Sequence, residues 1–142
     1  MGLEEYTSIN NTSEDRFELV TKLYDKLILN LKYIKKYIDF KKPVGILTEE
    51  QRENTNFIIN NKIEKINQSI DIIDLLKNSL DLETEELKES SLYLYGIYEY
   101  QLMIIYKLMV NMEVGKLDKL INVFEEMKLA WLEQVAEIRK NG

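Results

Sequence analysis

The sequence predicts an all-α protein, an antiparallel up-and-down four-helix bundle, and three observations support this prediction. Four long stretches carry apolar residues at the helical spacing of three and four positions. Breaks between them are sparse, because the 142 residues include one proline and five glycines. No stretch alternates apolar and polar residues in the way that is typical of a strand. Since short loops join helices as antiparallel neighbours, we expect one bundle domain over residues 1–142.

The first helix is expected over about residues 15–40, after a polar N-terminal arm of residues 1–12. Asp15 and Glu18 have the spacing of a capping box. Apolar side chains then recur at helical period and predict one buried face: Val20, Leu23, Tyr24, Leu27, Ile28, Leu31, Ile34 and Ile38. We expect the arm to be extended or mobile, with Tyr6 as its one aromatic residue.

The second helix is expected over about residues 49–79. Thr48 and Gln51 have the spacing of a capping box, although the polar residues 49–56 could instead form a loop. The buried side of this helix is expected to comprise Ile59, Ile63, Ile66, Ile70, Ile73 and Leu80.

The third helix is expected over about residues 83–112 and is apolar on more than one side. One seam suffices for a bundle core: Leu87, Ser91, Leu94, Tyr98, Leu102, Ile105, Met109 and Met112. A second apolar side comprises Tyr93, Ile97, Tyr100, Met103 and Ile104. Two interpretations stay open: the helix packs on several sides, or its second side forms a groove for a partner helix. Gly96, in mid-helix, indicates either a close helix contact or a hinge.

The fourth helix is expected over about residues 116–138, after a break at Gly115. Its seam comprises Leu117, Leu120, Ile121, Phe124, Met127, Trp131, Val135 and Ile138. We expect Trp131 to contribute mainly to core packing.

Composition excludes much chemistry. The chain has no cysteine and no histidine, which removes disulfides, thiolate nucleophiles, Cys/His zinc sites and histidine acid–base catalysis. No glycine-rich phosphate loop is present, and no motif supports a metal held only by carboxylates. We interpret the acidic cluster of residues 83–89 as a solvated first turn of the third helix and not as a metal or partner site. We therefore expect no enzymatic activity, no cofactor and no metal. The net charge of −6 argues against nucleic acid as a partner. The first residues carry no apolar signal segment and no run is long enough to span a membrane, so the expected location is the cytoplasm, without membrane insertion.

Five short motifs follow one another along the chain: a tyrosine in the arm, one motif in or at the end of each of the first three helices, and a tail in the fourth. They are Tyr6, Leu23-Tyr24-Asp25, Ser79-Leu80-Asp81, Ile97-Tyr98-Glu99-Tyr100 and Glu125-Glu126-Met127-Lys128-Leu129-Ala130-Trp131. In order and spacing they resemble the flagellar secretion chaperone family FliS over nearly the whole chain. Departures indicate a divergent member: Arg16 stands in place of a proline, Met103-Ile104-Ile105 in place of a basic motif, and residues 43–56 form a longer connection.

The resemblance implies a non-enzymatic cytoplasmic chaperone that binds the C-terminal segment of newly made flagellin. That segment is disordered alone, folds as helices around the bundle, and is thereby kept from premature polymerisation and competent for export. The residues expected at the groove or the arm are Tyr6, Val20, Leu23, Tyr24, Ile97, Tyr98, Tyr100, Met103 and Ile104. Other flagellar export components stay open as partners. The alternative is a non-catalytic assembly or adaptor bundle that self-associates through its third helix.

Overall fold

A computed structural model describes residues 13–40, 43–83, 85–111 and 113–141. Within these ranges the chain forms four helices and no strand: α1 (Ser13–Lys36), α2 (Glu49–Asn78), α3 (Glu85–Val110) and α4 (Val114–Asn141). Helix α1 packs between α2 and α4, α2 also packs on α3, and α3 meets α4 over the smallest stretch. The predicted all-α four-helix bundle is confirmed. The predicted mobile arm, residues 1–12, lies outside the described residues.

Contacts between the helices show their antiparallel course. Tyr33 of α1 lies beside Asn61 of α2, whereas Asn30, one turn earlier, lies beside Gln68, later in α2. In the same way Lys35 pairs with Asp118 at 2.7 Å and Lys32 pairs with Glu125 at 3.1 Å. Residue numbers therefore rise along α1 while they fall along α2 and along α4, so α1 is antiparallel to both.

The first helix ends earlier than predicted, whereas the second begins where the capping box predicts. Helix α1 ends at Lys36, and residues 37–39 continue as a tighter turn in which the Ile38 amide donates to the Lys35 carbonyl at 3.3 Å. Helix α2 does begin at Glu49, so residues 49–56 are helical and not a loop. Its cap is the predicted box: the Gln51 amide donates to Thr48 Oγ1 at 3.1 Å, and the Thr48 amide donates to Gln51 Oε1 at 2.9 Å.

One hydrophobic core joins all four helices, and its most buried side chains are Leu27, Leu31, Ile73, Leu117, Leu120 and Phe124. The predicted seams of α1 and α4 supply most of it. The seam predicted for α2 is partly wrong: Ile63 is 46% exposed, whereas Ile72 and Leu76 are buried. In α3 the predicted seam is exposed at Leu87 and Met109, while Tyr98, Leu102 and Ile105 between them are buried. Met112, the last residue of that seam, lies outside the described residues. None of the helices in the described residues combines the length and apolarity needed to cross a membrane.

Candidate functional site

The second apolar side of α3 is largely uncovered. We call Tyr93, Ile97, Tyr100, Met103 and Ile104 the outer face of α3. Tyr93 is 72% exposed, Tyr100 57% and Met103 44%, while Ile97 and Ile104 are half-buried at its edge. Single exposed apolar side chains are ordinary, but a contiguous apolar stripe on one helix is typical of an interaction surface.

The outer face exists because the seam of α3 already fills the core. Successive residues of a helix lie about 100° apart, so burying Tyr98 and Leu102 turns Tyr100 outward. The Tyr98 ring stacks on Phe124 of α4, with centroids 6.5 Å apart and planes 14° apart. Helix α3 is thus anchored by its seam, and the apolar residues of its outer face remain outside the core.

A groove of about 780 Å³ between α2 and α3 adjoins this face. We call it the α2–α3 groove. Leu102, Met103, Tyr106 and Val110 give it an apolar floor, and Asp74, Lys77 and Glu99 stand on its rim. Val110 is 91% exposed and Tyr106 52%. Such a groove has the shape and the apolar floor that an amphipathic helix requires.

The rim is ordered by an ion pair between the two helices. Lys77 Nζ donates to Glu99 Oε1 at 2.8 Å and lies 3.5 Å from Asp74 Oδ1. The hydrogen bond to Glu99 raises the pKa of Lys77, and the same bond lowers the pKa of Glu99. The Lys77 ammonium also lies 5.5 Å from the centre of the Tyr95 ring. Both charges are therefore retained at neutral pH, which keeps the rim polar beside an apolar floor.

A second groove lies between α1 and α4, and we call it the α1–α4 groove. Its exposed apolar residues are Leu29, Leu129 and Leu132, with exposed fractions of 62%, 61% and 39%. Two ion pairs flank them, Lys128 with Asp25 and Lys32 with Glu125. The helical period does not predict this groove. The available signal was three leucines that lie off the predicted seams of their helices.

The site residues predicted in α1 lie in the core or at its edge. Val20 is 3% exposed and Tyr24 5%, while Leu23 is half-buried and packs on the core. Tyr98 of α3 is likewise only 3% exposed. Val20, Tyr24 and Tyr98 are thus covered by the bundle, whereas Leu23 keeps part of its surface at the edge of the core. Tyr6 lies outside the described residues.

Tyr24 and Tyr98 meet inside the bundle. Their hydroxyl oxygens are 2.6 Å apart and share a hydrogen bond between α1 and α3. Burial raises the pKa of Tyr24, and burial also raises the pKa of Tyr98, to which the neighbouring Tyr24 adds. Both hydroxyls therefore stay neutral, and each provides the other's polar partner.

Two other expectations have clear outcomes. Trp131 packs edge-on against Phe17, with ring centroids 5.8 Å apart, and its Nε1 donates to Thr21 Oγ1 at 3.1 Å, which joins α4 to α1. The close helix contact offered for Gly96 is wrong, because a Cβ added there would meet nothing within 4 Å among the described residues.

The described residues hold no cluster of three or more acidic side chains that could bind a metal ion.

Comparison with known proteins agrees with this architecture. The family model described as flagellar protein FliS matches residues 3–138, nearly the whole chain. No curated protein matches the sequence.

Proposed function

The chain belongs to the FliS family, and from this premise we propose that it is a flagellar export chaperone that binds the C-terminal helical segment of flagellin. By holding that segment, it prevents premature polymerisation and keeps flagellin competent for secretion. We place this activity in the cytoplasm, where flagellin is made, and assign it no catalytic step and no cofactor.

The observation that supports this proposal most is the uncovered outer face of α3 beside the α2–α3 groove. Tyr100 and Met103 are exposed apolar anchors on a rigid helix. Tyrosine is enriched at binding hot spots, and methionine adapts to differently shaped partners. An amphipathic client helix laid along this stripe would insert its apolar side chains where the groove floor is open.

The favourable free energy of binding must exceed the entropic cost of ordering a disordered client. Coupled folding of such a segment costs about 2–5 kcal/mol of the interaction energy. Burial contributes roughly 25 cal/mol for each Å² of apolar surface removed from water. Burial of roughly a few hundred Å² of apolar surface therefore offsets the ordering cost. A contiguous apolar face can bury that much against one helix, whereas scattered residues cannot.

We assign the client contacts to Tyr93, Ile97, Tyr100, Met103 and Ile104. Val20, Leu23, Tyr24 and Tyr98 act by holding α3 in place, since all are buried or half-buried. Tyr6 is a proposed contact on the strength of the family resemblance alone.

Calorimetric titration with a peptide that covers the C-terminal helices of flagellin from the same organism tests the proposal. We expect saturable 1:1 binding with a large negative heat-capacity change, the signature of apolar burial with coupled folding. An absence of binding at tens of micromolar, with the protein folded, would show that flagellin is not the client.

Two matched double variants locate the contact. Tyr100→Ala with Met103→Ala changes the outer face of α3, and Leu29→Ala with Leu129→Ala changes the α1–α4 groove by a similar loss of exposed apolar surface. We expect the first pair to weaken peptide binding at least about tenfold, as loss of a hot spot does, and the second to leave it within about twofold. The reverse order would move the client to the α1–α4 groove.

The same exposed tyrosines favour one alternative, self-association through α3. Tyr93 and Tyr100 could pack against a second copy, in which case the free protein would be a stable dimer. Light scattering distinguishes the two, because the chaperone proposal expects a monomer that retains an open outer face.

A further inference from the structure

One end of the α2–α3 groove is acidic. Asp74 of α2 and Glu99 of α3 both contact the Lys77 ammonium, at 3.5 Å and 2.8 Å. Two carboxylates thus share one ammonium, and one negative charge remains at this end of the groove. Because the hydrogen bond from Lys77 lowers the pKa of Glu99, the Glu99 carboxylate stays ionised at neutral pH.

The other end of the groove is basic. Among the described residues that line it, Lys107 of α3 and Lys116 of α4 carry ammonium groups and Glu113 carries a carboxylate. Lys116 Nζ lies 3.4 Å from Glu113 Oε2, whereas Lys107 has no ion-pair partner in the part of the chain that the structure describes. Two ammoniums thus stand with one carboxylate, and one positive charge remains at this end.

An apolar stripe of α3 joins the two ends. Met103, Tyr106 and Val110 follow Glu99 at the spacing of neighbours on one side of a helix. At 1.5 Å per residue, the stripe from Glu99 to Val110 spans roughly 17 Å, or about three helical turns. The α3–α4 turn borders the groove at its basic end, since Asn111 is part of the lining. The groove therefore has the length for about three turns of a docked helix.

A docked helix brings a dipole of its own. It carries about half a positive charge at its N-terminus and half a negative charge at its C-terminus. One direction in the groove places both ends beside opposite charges, and the other direction places both beside like charges. The favourable direction is parallel to α3, with the N-terminus near Glu99 and the C-terminus near Lys107. Each end adds roughly a two- to fivefold preference at an exposed site.

We propose that the α2–α3 groove binds the last helix of its client in this one direction, and that Lys107 and Lys116 receive the client's terminal carboxylate. The carboxylate adds a full negative charge to the C-terminal end of the helix dipole, which complements the positive charge at the basic end. That this carboxylate belongs to flagellin rests on the proposed function. An acidic side chain in the last turn of the client would offer the same chemistry, and an amidated peptide distinguishes the two sources.

Amidation of the peptide tests the carboxylate. Calorimetric titration compares the flagellin C-terminal peptide that ends in a free carboxylate with the same peptide that ends in an amide, at low ionic strength, because salt screens exposed charges. We expect amidation to weaken binding to the unaltered protein at least about threefold. In the double variant Lys107→Gln with Lys116→Gln, amidation should no longer weaken binding.

The matched control is the double variant Lys88→Gln with Lys140→Gln. It also removes one exposed ammonium from α3 and one from α4, but outside the groove lining, and it changes the net charge equally. Amidation should weaken binding to this control as much as it weakens binding to the unaltered protein. An amidation effect of equal size in the two double variants would overturn the proposal.

Disulfide trapping reads the direction of the helix. The natural chain has no cysteine, so a single thiol can be placed at either end of the groove. Asn111→Cys marks the basic end, and Asn78→Cys marks the acidic end, because Asn78 is exposed and follows Lys77. The peptide carries one cysteine in its last turn or about three turns earlier. We expect Asn111→Cys to trap the last-turn thiol faster and Asn78→Cys to trap the earlier thiol faster.

The two possible failures give different results. No binding of the free-carboxylate peptide to the unaltered, folded protein would contradict the proposed function and, with it, the site for the carboxylate. Binding that amidation does not weaken, or trapping in the opposite pattern, would contradict the proposed direction and its carboxylate site while leaving flagellin as the client.

Discussion

Helices α1 and α3 are both long and rich in apolar residues, but they use those residues differently. In α1 the apolar residues lie almost entirely on one side, and Leu29 is its clear exposed exception at 62%. In α3 they surround the helix, and Tyr93, Tyr100 and Met103 stay exposed after the core is filled. The first helix therefore stabilises the bundle, whereas the third stabilises it and also exposes apolar surface, to which we assign the proposed client. Surplus apolar surface on a helix indicates binding only once the core is known to be complete without it.

The largest expected difference in stability is between a substitution in the core of α1 and one on the outer face of α3. Leu31→Ala removes a fully buried side chain and should lower the free energy of unfolding by about 2–5 kcal/mol. Met103→Ala removes a side chain that is 44% exposed and should change the free energy of unfolding by about 0.5 kcal/mol or less. Urea unfolding measures both. Equal losses would show that the outer face is part of the core.

Alkaline pH should reduce the stability that comes from the buried tyrosine pair joining α1 and α3. Tyr24 and Tyr98 have raised pKa values in the folded protein, so they hold their protons there after the unfolded chain has lost them. Stability from this source is complete below the ordinary tyrosine pKa of about 10 and falls as the pH rises above it, by at most about 1.4 kcal/mol per pH unit for each tyrosine. Urea unfolding from pH 9 to 11 measures this slope.

The double variant Tyr24→Phe with Tyr98→Phe should lose this part of the slope. Tyr100→Phe is the control, because it removes an exposed tyrosine hydroxyl outside the buried pair. A slope unaffected by the double variant would mean that the buried pair does not titrate on unfolding.

A moderate effect is expected at Trp131, which joins α4 to α1. Trp131→Phe removes the hydrogen bond to Thr21 and part of the contact with Phe17, and should cost about 1 kcal/mol. Tyr93→Phe, on the outer face of α3, should be nearly neutral because Tyr93 is 72% exposed. Thermal unfolding of the two variants side by side measures the difference, and a neutral Trp131→Phe would contradict an anchoring role.

The smallest expected effect is a gain in stability at Gly96. Gly96 is an exposed residue within α3, and no described neighbour would contact an added Cβ. Gly96→Ala should stabilise the protein by about 0.5–1 kcal/mol, because alanine loses less backbone entropy in a helix. A loss of stability in urea would instead indicate that the close contact exists.

The helical period predicted the buried side correctly where a helix has one apolar side. The seam of α1 follows directly from its period, and so does most of α4. It failed in α2, where Ile63 was expected in the core. Lys62 already lies beside the last turn of α1, because its Nζ donates to the Tyr37 carbonyl at 3.3 Å. Ile63 therefore lies where α1 no longer covers it, and the period of α2 carries no information about where α1 ends.

The candidate site was predictable only in part. The two-sided pattern of α3 identified Tyr93, Tyr100 and Met103, which are exposed. It also assigned Tyr24 and Tyr98 to partner contacts, although they are buried against each other. A tyrosine at a seam position can be a core residue with a paired hydroxyl or an interface residue, and only the position of α1 relative to α3 decides between them.

Oxidative footprinting by hydroxyl radicals, with and without the flagellin C-terminal peptide, tests the central claim most directly. Tyrosine and methionine side chains report their own exposure, so the outer face of α3 can be read at Tyr93, Tyr100 and Met103 in the unaltered protein. We predict that these residues become protected when the peptide binds, while Leu29, Leu129 and Leu132 of the α1–α4 groove keep their reactivity. Protection confined to the α1–α4 groove, with Tyr93, Tyr100 and Met103 unchanged, would contradict the assignment of the client to α3.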